Sequence, residues 1–121
     1  FEGSIELKNE KLDGLYERFM KNTAAYRDRL TVIKSDSYKA FKKLDDTYDF
    51  IYIDGSHEFK DVLTDALLTW RLLKNGGVII FDDVNLYNDV KQAVHIFEVA
   101  FCDEILECHH LFDQKAYIKK M

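Results

Sequence analysis

Leu12, Leu15, Tyr16, Phe19 and Met20 recur at spacings of three and four, which predicts one apolar face of a helix over residues 11–25. Residues 30–35 are rich in β-branched side chains and read as a short strand. Asp36 or Ser37 then caps a short helix carrying Tyr38, Phe41 and Leu44. The run from Asp49 to Gly55 is nearly continuous in its apolar residues, as in a strand covered on both faces. A helix follows over 59–74 with Val62, Ala66, Trp70 and Leu73 as its buried stripe and Leu63 and Leu67 beside them. Asp61 and Asp65 in its early turns and Lys74 in its last match the helix dipole, and Gly76-Gly77 stops it. Val78 to Phe81 predicts a second buried strand, running straight into Asp82-Asp83. A helix over 88–101 presents Val90, Val94, Phe97 and Phe101. Strands over 104–112 and 115–119 close the chain, with Asp113-Gln114 as a hairpin turn.

Strands alternating with helices and ending in a hairpin define an α/β layer fold with a mostly parallel sheet. Ligands in such sheets bind beyond the carboxyl ends of the strands. Asp36-Ser37, Asp54 to His57 and Asp82-Asp83 all follow predicted strands and are expected on one rim.

Composition narrows the picture. With 121 residues, 47% of them apolar, the chain is one folded domain over 1–121 rather than a disordered segment. A net charge of −5, with Lys interleaved among acids, argues against a nucleic-acid partner. No apolar run approaches the roughly 20 residues that cross a bilayer, so no membrane association is expected. Cys102 and Cys108 lack zinc-ligand spacing and do not make a disulfide framework; they read as reduced thiols of a cytoplasmic protein.

Asp54, Asp82 and Asp83 carry the candidate chemistry. Three carboxylates on one rim repel one another. A hard divalent cation such as magnesium relieves that repulsion, because it takes oxygen ligands. The plainer alternative is that Asp82 or Asp83 caps the next helix or bonds a loop. His57 lies three residues past Asp54. A neutral imidazole there can take a proton from a substrate hydroxyl; alternatively it caps the following helix or bonds a loop carbonyl. His109 and His110 read as ordinary strand residues, and Trp70 as core.

The run Tyr48-Asp49-Phe50-Ile51-Tyr52-Ile53-Asp54-Gly55-Ser56-His57, followed by Leu72-Leu73-Lys74-Asn75-Gly76-Gly77-Val78-Ile79-Ile80-Phe81-Asp82-Asp83, resembles one group of class I S-adenosylmethionine-dependent methyltransferases. Its signature is a "D-F-I-x-I-D-G-S-H" strand followed by "L-L-K-x-G-G-x-I-x-x-D-D", and it includes relatives of catechol, caffeoyl-CoA, macrolide and aminocoumarin-sugar O-methyltransferases. Asn75 stands where Pro is usual. The resemblance implies a Rossmann-like methyltransferase fold with sheet order 3-2-1-4-5-7-6 and strand seven antiparallel. It assigns magnesium to Asp54, Asp82 and Asp83, catalysis to His57, and S-adenosylmethionine contacts to Asp36, Ser37 and Asp54, with adenine near Asp36 and Ser37.

The glycine-rich loop and ribose acid of the group do not appear; Phe1-Glu2-Gly3-Ser4 matches the point just past strand two. The expectation is therefore a C-terminal part with strands one and two missing, inactive by itself. Its parent would be a metal-assisted O-methyltransferase acting on a small hydroxylated or sugar-like molecule. The Phe50 to Ile53 strand would then be an exposed edge that recruits a second copy into a homodimer. The competing readings are a non-catalytic assembly module of methyltransferase descent and a nicotinamide oxidoreductase, the latter left without support by the lack of a GxGxxG motif.

Overall fold

The structure, a computed structural model, describes residues 14–121. Two compact units divide at Lys34/Ser35. In the first, α1 spans Leu15–Asn22 and a 3₁₀ helix spans Ala24–Arg29. Leu15, Tyr16, Phe19 and Met20 are half-buried, so the apolar face exists; the predicted start of this helix lies outside the described residues. It ends earlier than its pattern suggests. The Thr23 hydroxyl donates to the Phe19 carbonyl at 2.7 Å, and the Arg27 guanidinium to the Met20 carbonyl at 2.7 Å. These bonds close the last turn of α1. The strand predicted over 30–35 does not form: the backbone is extended at Leu30, but no ladder includes these residues. Strand propensity needs a neighbour to satisfy its N–H and C=O groups.

The second unit carries α2 (Ser37–Phe41), β1 (Tyr48–Ile53), α3 (Phe59–Leu72), β2 (Leu73–Phe81), α4 (Asn88–Ala100), β3 (Ile105–Leu111) and β4 (Gln114–Lys119). The sheet order is β1-β2-β4-β3, the 4-5-7-6 half of the order implied by the sequence. β1 and β2 are parallel; β4 runs antiparallel to both β2 and β3. Among the described residues the sheet thus keeps one parallel ladder, to which the terminal hairpin adds two antiparallel ones.

Helix α3 buries Val62, Ala66, Trp70 and, just past its end, Leu73, as the pattern predicts. It ends at Leu72, before Gly76-Gly77, and the chain turns directly into β2. The two glycines lie instead where the β1–β2 register shifts. Gly76 has φ +77°, a conformation that suits glycine. Gly77 is crowded: a Cβ there would stand 2.8 Å from the Lys74 carbonyl oxygen and 3.0 Å from that of Asp49. Lys74 bridges to Asp49 at 3.2 Å. The helix end is held by Lys119, whose ammonium donates to the carbonyls of Trp70 at 2.9 Å and Leu73 at 3.1 Å. Two further expectations change. Leu67 is 44% exposed, whereas Asp65 is buried at 8%.

The core is aromatic. Phe97 of α4 packs on Phe81 of β2, Tyr117 of β4 and Trp70 of α3, with centroids 5.1–5.4 Å apart. Ile51 and Ile53 join from β1, but Phe50 and Tyr52 are 56% and 44% exposed. Among the described residues β1 is therefore covered on one face, not two. The hairpin turn falls at Phe112-Asp113, one residue earlier than predicted. Phe112 adopts φ +51° there and is 99% exposed.

Candidate active site

The parallel register sets up the site. Ile53 pairs with Phe81 as the last residue of each strand, and the Asp82 amide donates to the Ile53 carbonyl at 3.0 Å. Asp54 and Asp82 thus leave the sheet side by side. Asp83 follows with φ +61°, a left-handed conformation that Asp tolerates better than most residues. Asp54, Asp82 and Asp83 each offer a carboxylate oxygen, and the three atoms lie within 4.8 Å of one another.

The carboxylates are not equivalent. Burial, then the charges of Asp82 and Asp83, push the Asp54 carboxyl above its ordinary range. Asp82 moves the other way, chiefly because the Tyr52 hydroxyl donates to it at 2.6 Å. Its other oxygen accepts the Asp83 amide at 2.8 Å. The same bond raises the Tyr52 hydroxyl to about 12, and the Gln114 amide donates to that hydroxyl at 2.9 Å.

His57 joins the group. Its Nε2 is 3.0 Å from Asp83 Oδ2, and its ring stacks on Tyr87 at 3.9 Å and 12°. The predicted caps do not involve it: the Ser56 hydroxyl accepts from the Glu58 amide at 3.2 Å and donates to Asp61 at 2.9 Å, while Asp89 accepts from the Phe59 amide at 3.2 Å.

Asp36 and Ser37 are not among the groups gathered at the acids. Asp36 caps α2, accepting from the Lys39 amide at 2.9 Å. Ser37 donates to the buried Asp65 at 2.6 Å. Asp65 in turn lies below the loop leaving β1, 3.9 Å from where a Cβ on Gly55 would be, so Ser37 is linked to that loop through one carboxylate. Burial raises the Asp65 carboxyl, opposed by the Ser37 bond.

Tyr52, Tyr87, Gln114 and Asp65 escaped the sequence reading as members of the site. Tyr52 had a signal: it lies two residues before Asp54, which directly follows the same strand, hence on the same face. The others arrive through turns and helix packing, which no local pattern reveals. Cys102 and Cys108 are free thiols, and no described helix is long and apolar enough to cross a membrane.

This arrangement sits inside a matched family pattern. Residues 4–84 match the methyltransferase-domain family, and the chain belongs to that family. The O-methyltransferase NovP superposes with a TM-score of 0.66 at 18% identity, over 87% of this chain and 45% of that one. A Staphylococcus aureus structure described as a caffeoyl-CoA O-methyltransferase gives 0.65 at 20% identity, over 88% and 59%. These two establish a shared fold. An uncharacterized protein, R132, of Acanthamoeba polyphaga mimivirus is 30% identical over 72% of this chain and 49% of its own length. The chain thus spans about half the length of these relatives.

Proposed function

We propose that the protein transfers a methyl group from S-adenosylmethionine to a hydroxyl of a small hydroxylated or sugar-like molecule, assisted by a divalent cation. The reading rests on one observation above the others. Three carboxylates converge within 4.8 Å at the ends of two parallel strands, with His57 against one of them, inside a methyltransferase-family match.

The donor set suits a hard cation. Oxygens bound to one magnesium ion stand about 2.1 Å from it, and those bound to calcium about 2.4 Å; the three carboxylates, within 4.8 Å of one another, need only draw together to share such an ion. A cation bound there would lower the pKa of a coordinated hydroxyl. Asp36, with half of its side chain exposed, and Ser37 are the adenine-side contacts in this reading, and Asp54 serves both cation and cofactor. S-adenosylmethionine supplies the electrophilic methyl.

What remains is positioning and proton transfer. With Nε2–H donating to Asp83, Nδ1 of His57 keeps its lone pair and takes the hydroxyl proton. Tyr87 fixes the ring plane. Tyr52 holds Asp82 ionised and turned toward the site. Transfer of labelled methyl groups from S-adenosylmethionine to a panel of small polyols, catechols and sugars tests the reading. In the intact parent we expect turnover that chelation by EDTA abolishes and magnesium restores. No transfer and no binding of S-adenosylmethionine by that parent in calorimetry would favour the non-catalytic module; transfer indifferent to EDTA would remove the cation.

A further inference from the structure

A cavity of about 550 Å³ lies between α4 and the terminal hairpin, away from the three acids. Its size is within the range of small-molecule sites. Phe59, Val84, Val94 and Ile96 give it apolar walls. Its polar side chains are unusual for this chain: Asn88, Lys91, Gln92, His95 and Lys115 offer nitrogen donors, beside His110 and Asn85, which lie 3.3 Å from each other. No carboxylate lines it. With 22 acids among 121 residues, eleven lining positions drawn without bias would include two.

The cations differ in availability. Lys115 is paired with Glu98 at 2.8 Å, which spends much of its charge. Lys91 is exposed, and its ammonium has no hydrogen-bond or ion-pair partner among the described residues. His95 stands one turn further along the same face of α4 and His110 opposite it on β3. An apolar floor under a donor rim containing an unneutralised ammonium matches one ligand chemistry: an apolar body ending in an anionic group. A neutral ligand would leave Lys91 unpaired, and a cationic one would meet it with like charge.

We propose that this cavity binds a small organic anion with an apolar body, such as an aryl carboxylate. The inference does not depend on methyl transfer, because it rests on the cavity alone. It is read by titrating the full chain with benzoate, benzamide and benzylamine in ¹H–¹⁵N NMR spectra. Benzoate should saturate and shift the side-chain amides of Asn88 and Gln92. Benzamide, the same size without the charge, should bind about tenfold more weakly, and benzylamine more weakly still. Lys91→Gln with His95→Gln should lower benzoate affinity about tenfold at an unchanged melting temperature. If the pair fails to fold, Lys91→Gln alone decides, since that side chain is exposed and unpartnered. The proposal is overturned by equal binding of benzamide, by shifts confined to Gly55 and Ser56, by wild-type affinity in the variant, or by no saturation with any probe.

Discussion

The Tyr52 hydroxyl donates to Asp82 at 2.6 Å across the parallel β1–β2 pair, so one carboxylate of a crowded rim is kept ionised by a neighbour on the next strand. The relationship is testable from both ends. The Tyr52 phenol should titrate at about 12, and Asp82→Asn should return it toward the ordinary value of about 10. From the other end, Tyr52→Phe should cost less than about 1 kcal/mol at neutral pH, because the pair is partly exposed. Asp82 is depressed in the folded state, so this contribution is present above the ordinary 3.8 and disappears as pH falls through the folded value. Denaturation of both proteins across pH 2–7 (roughly the carboxylate range) reads the window.

Asp54 behaves oppositely. Its carboxyl is raised in the folded state, so stability is lost as pH rises from 3.8 through the folded value. Asp54→Asn removes that penalty and should raise the melting temperature of the cation-free protein at pH 7. A divalent cation should stabilise the wild type instead. At a concentration about ten times a millimolar Kd the gain is about 1.4 kcal/mol, roughly 4–8 °C. The variant should show neither response. A melting temperature of the wild type indifferent to magnesium, manganese and calcium would remove the cation site.

In the intact parent, His57→Ala should reduce turnover by roughly 10²–10⁴-fold if this imidazole is the general base, with little change in S-adenosylmethionine affinity. Unchanged turnover would leave His57 as a residue that braces Asp83 and Tyr87.

Gly77→Ala tests a contact with no functional content. The new methyl would meet two backbone carbonyl oxygens at 2.8 and 3.0 Å, which cannot rotate away as a side chain would. A loss of about 1–3 kcal/mol is expected, read from urea unfolding. Wild-type stability would mean that the β1–β2 junction yields.

Among the described residues the sheet ends at β1 on one side, and Phe50 and Tyr52 stand out from it. Self-association along that edge is the expected outcome, seen as a mass that rises with concentration in light scattering. A mass constant at one chain across the series would exclude it.

Much of this was legible because it is local. Strand ends, the apolar stripe of α3 and the paired acids follow from periodicity and from motif spacing. Their convergence followed from one rule, that parallel strands open their sites at the same end. Other features depend on partners distant in sequence. Residues 30–35 have the composition of a strand but no ladder. Asp65 reads as an early-turn acid favoured by the helix dipole, yet Ser37, 28 positions away, meets it in the interior. Gly76-Gly77 reads as a helix stop, whereas its real constraint is the passing backbone of Asp49. Lys119 replaces Lys74 at the end of α3 because the hairpin folds back over it.

The position of β4 has a consequence for how the chain is made. It follows β1, β2 and β3 in sequence, yet it lies between β2 and β3. While residues 114–119 are still inside a ribosome, β2 keeps one side open and β3 has nothing to pair with. The sheet therefore cannot assemble in the order of synthesis, as N-terminal-first folding would have it. It closes in one late step, when a single emerging segment brings in two ladders and, with Lys119, the latch on α3. Until that moment one edge of Val78 to Phe81, its most apolar stretch, has no strand beside it.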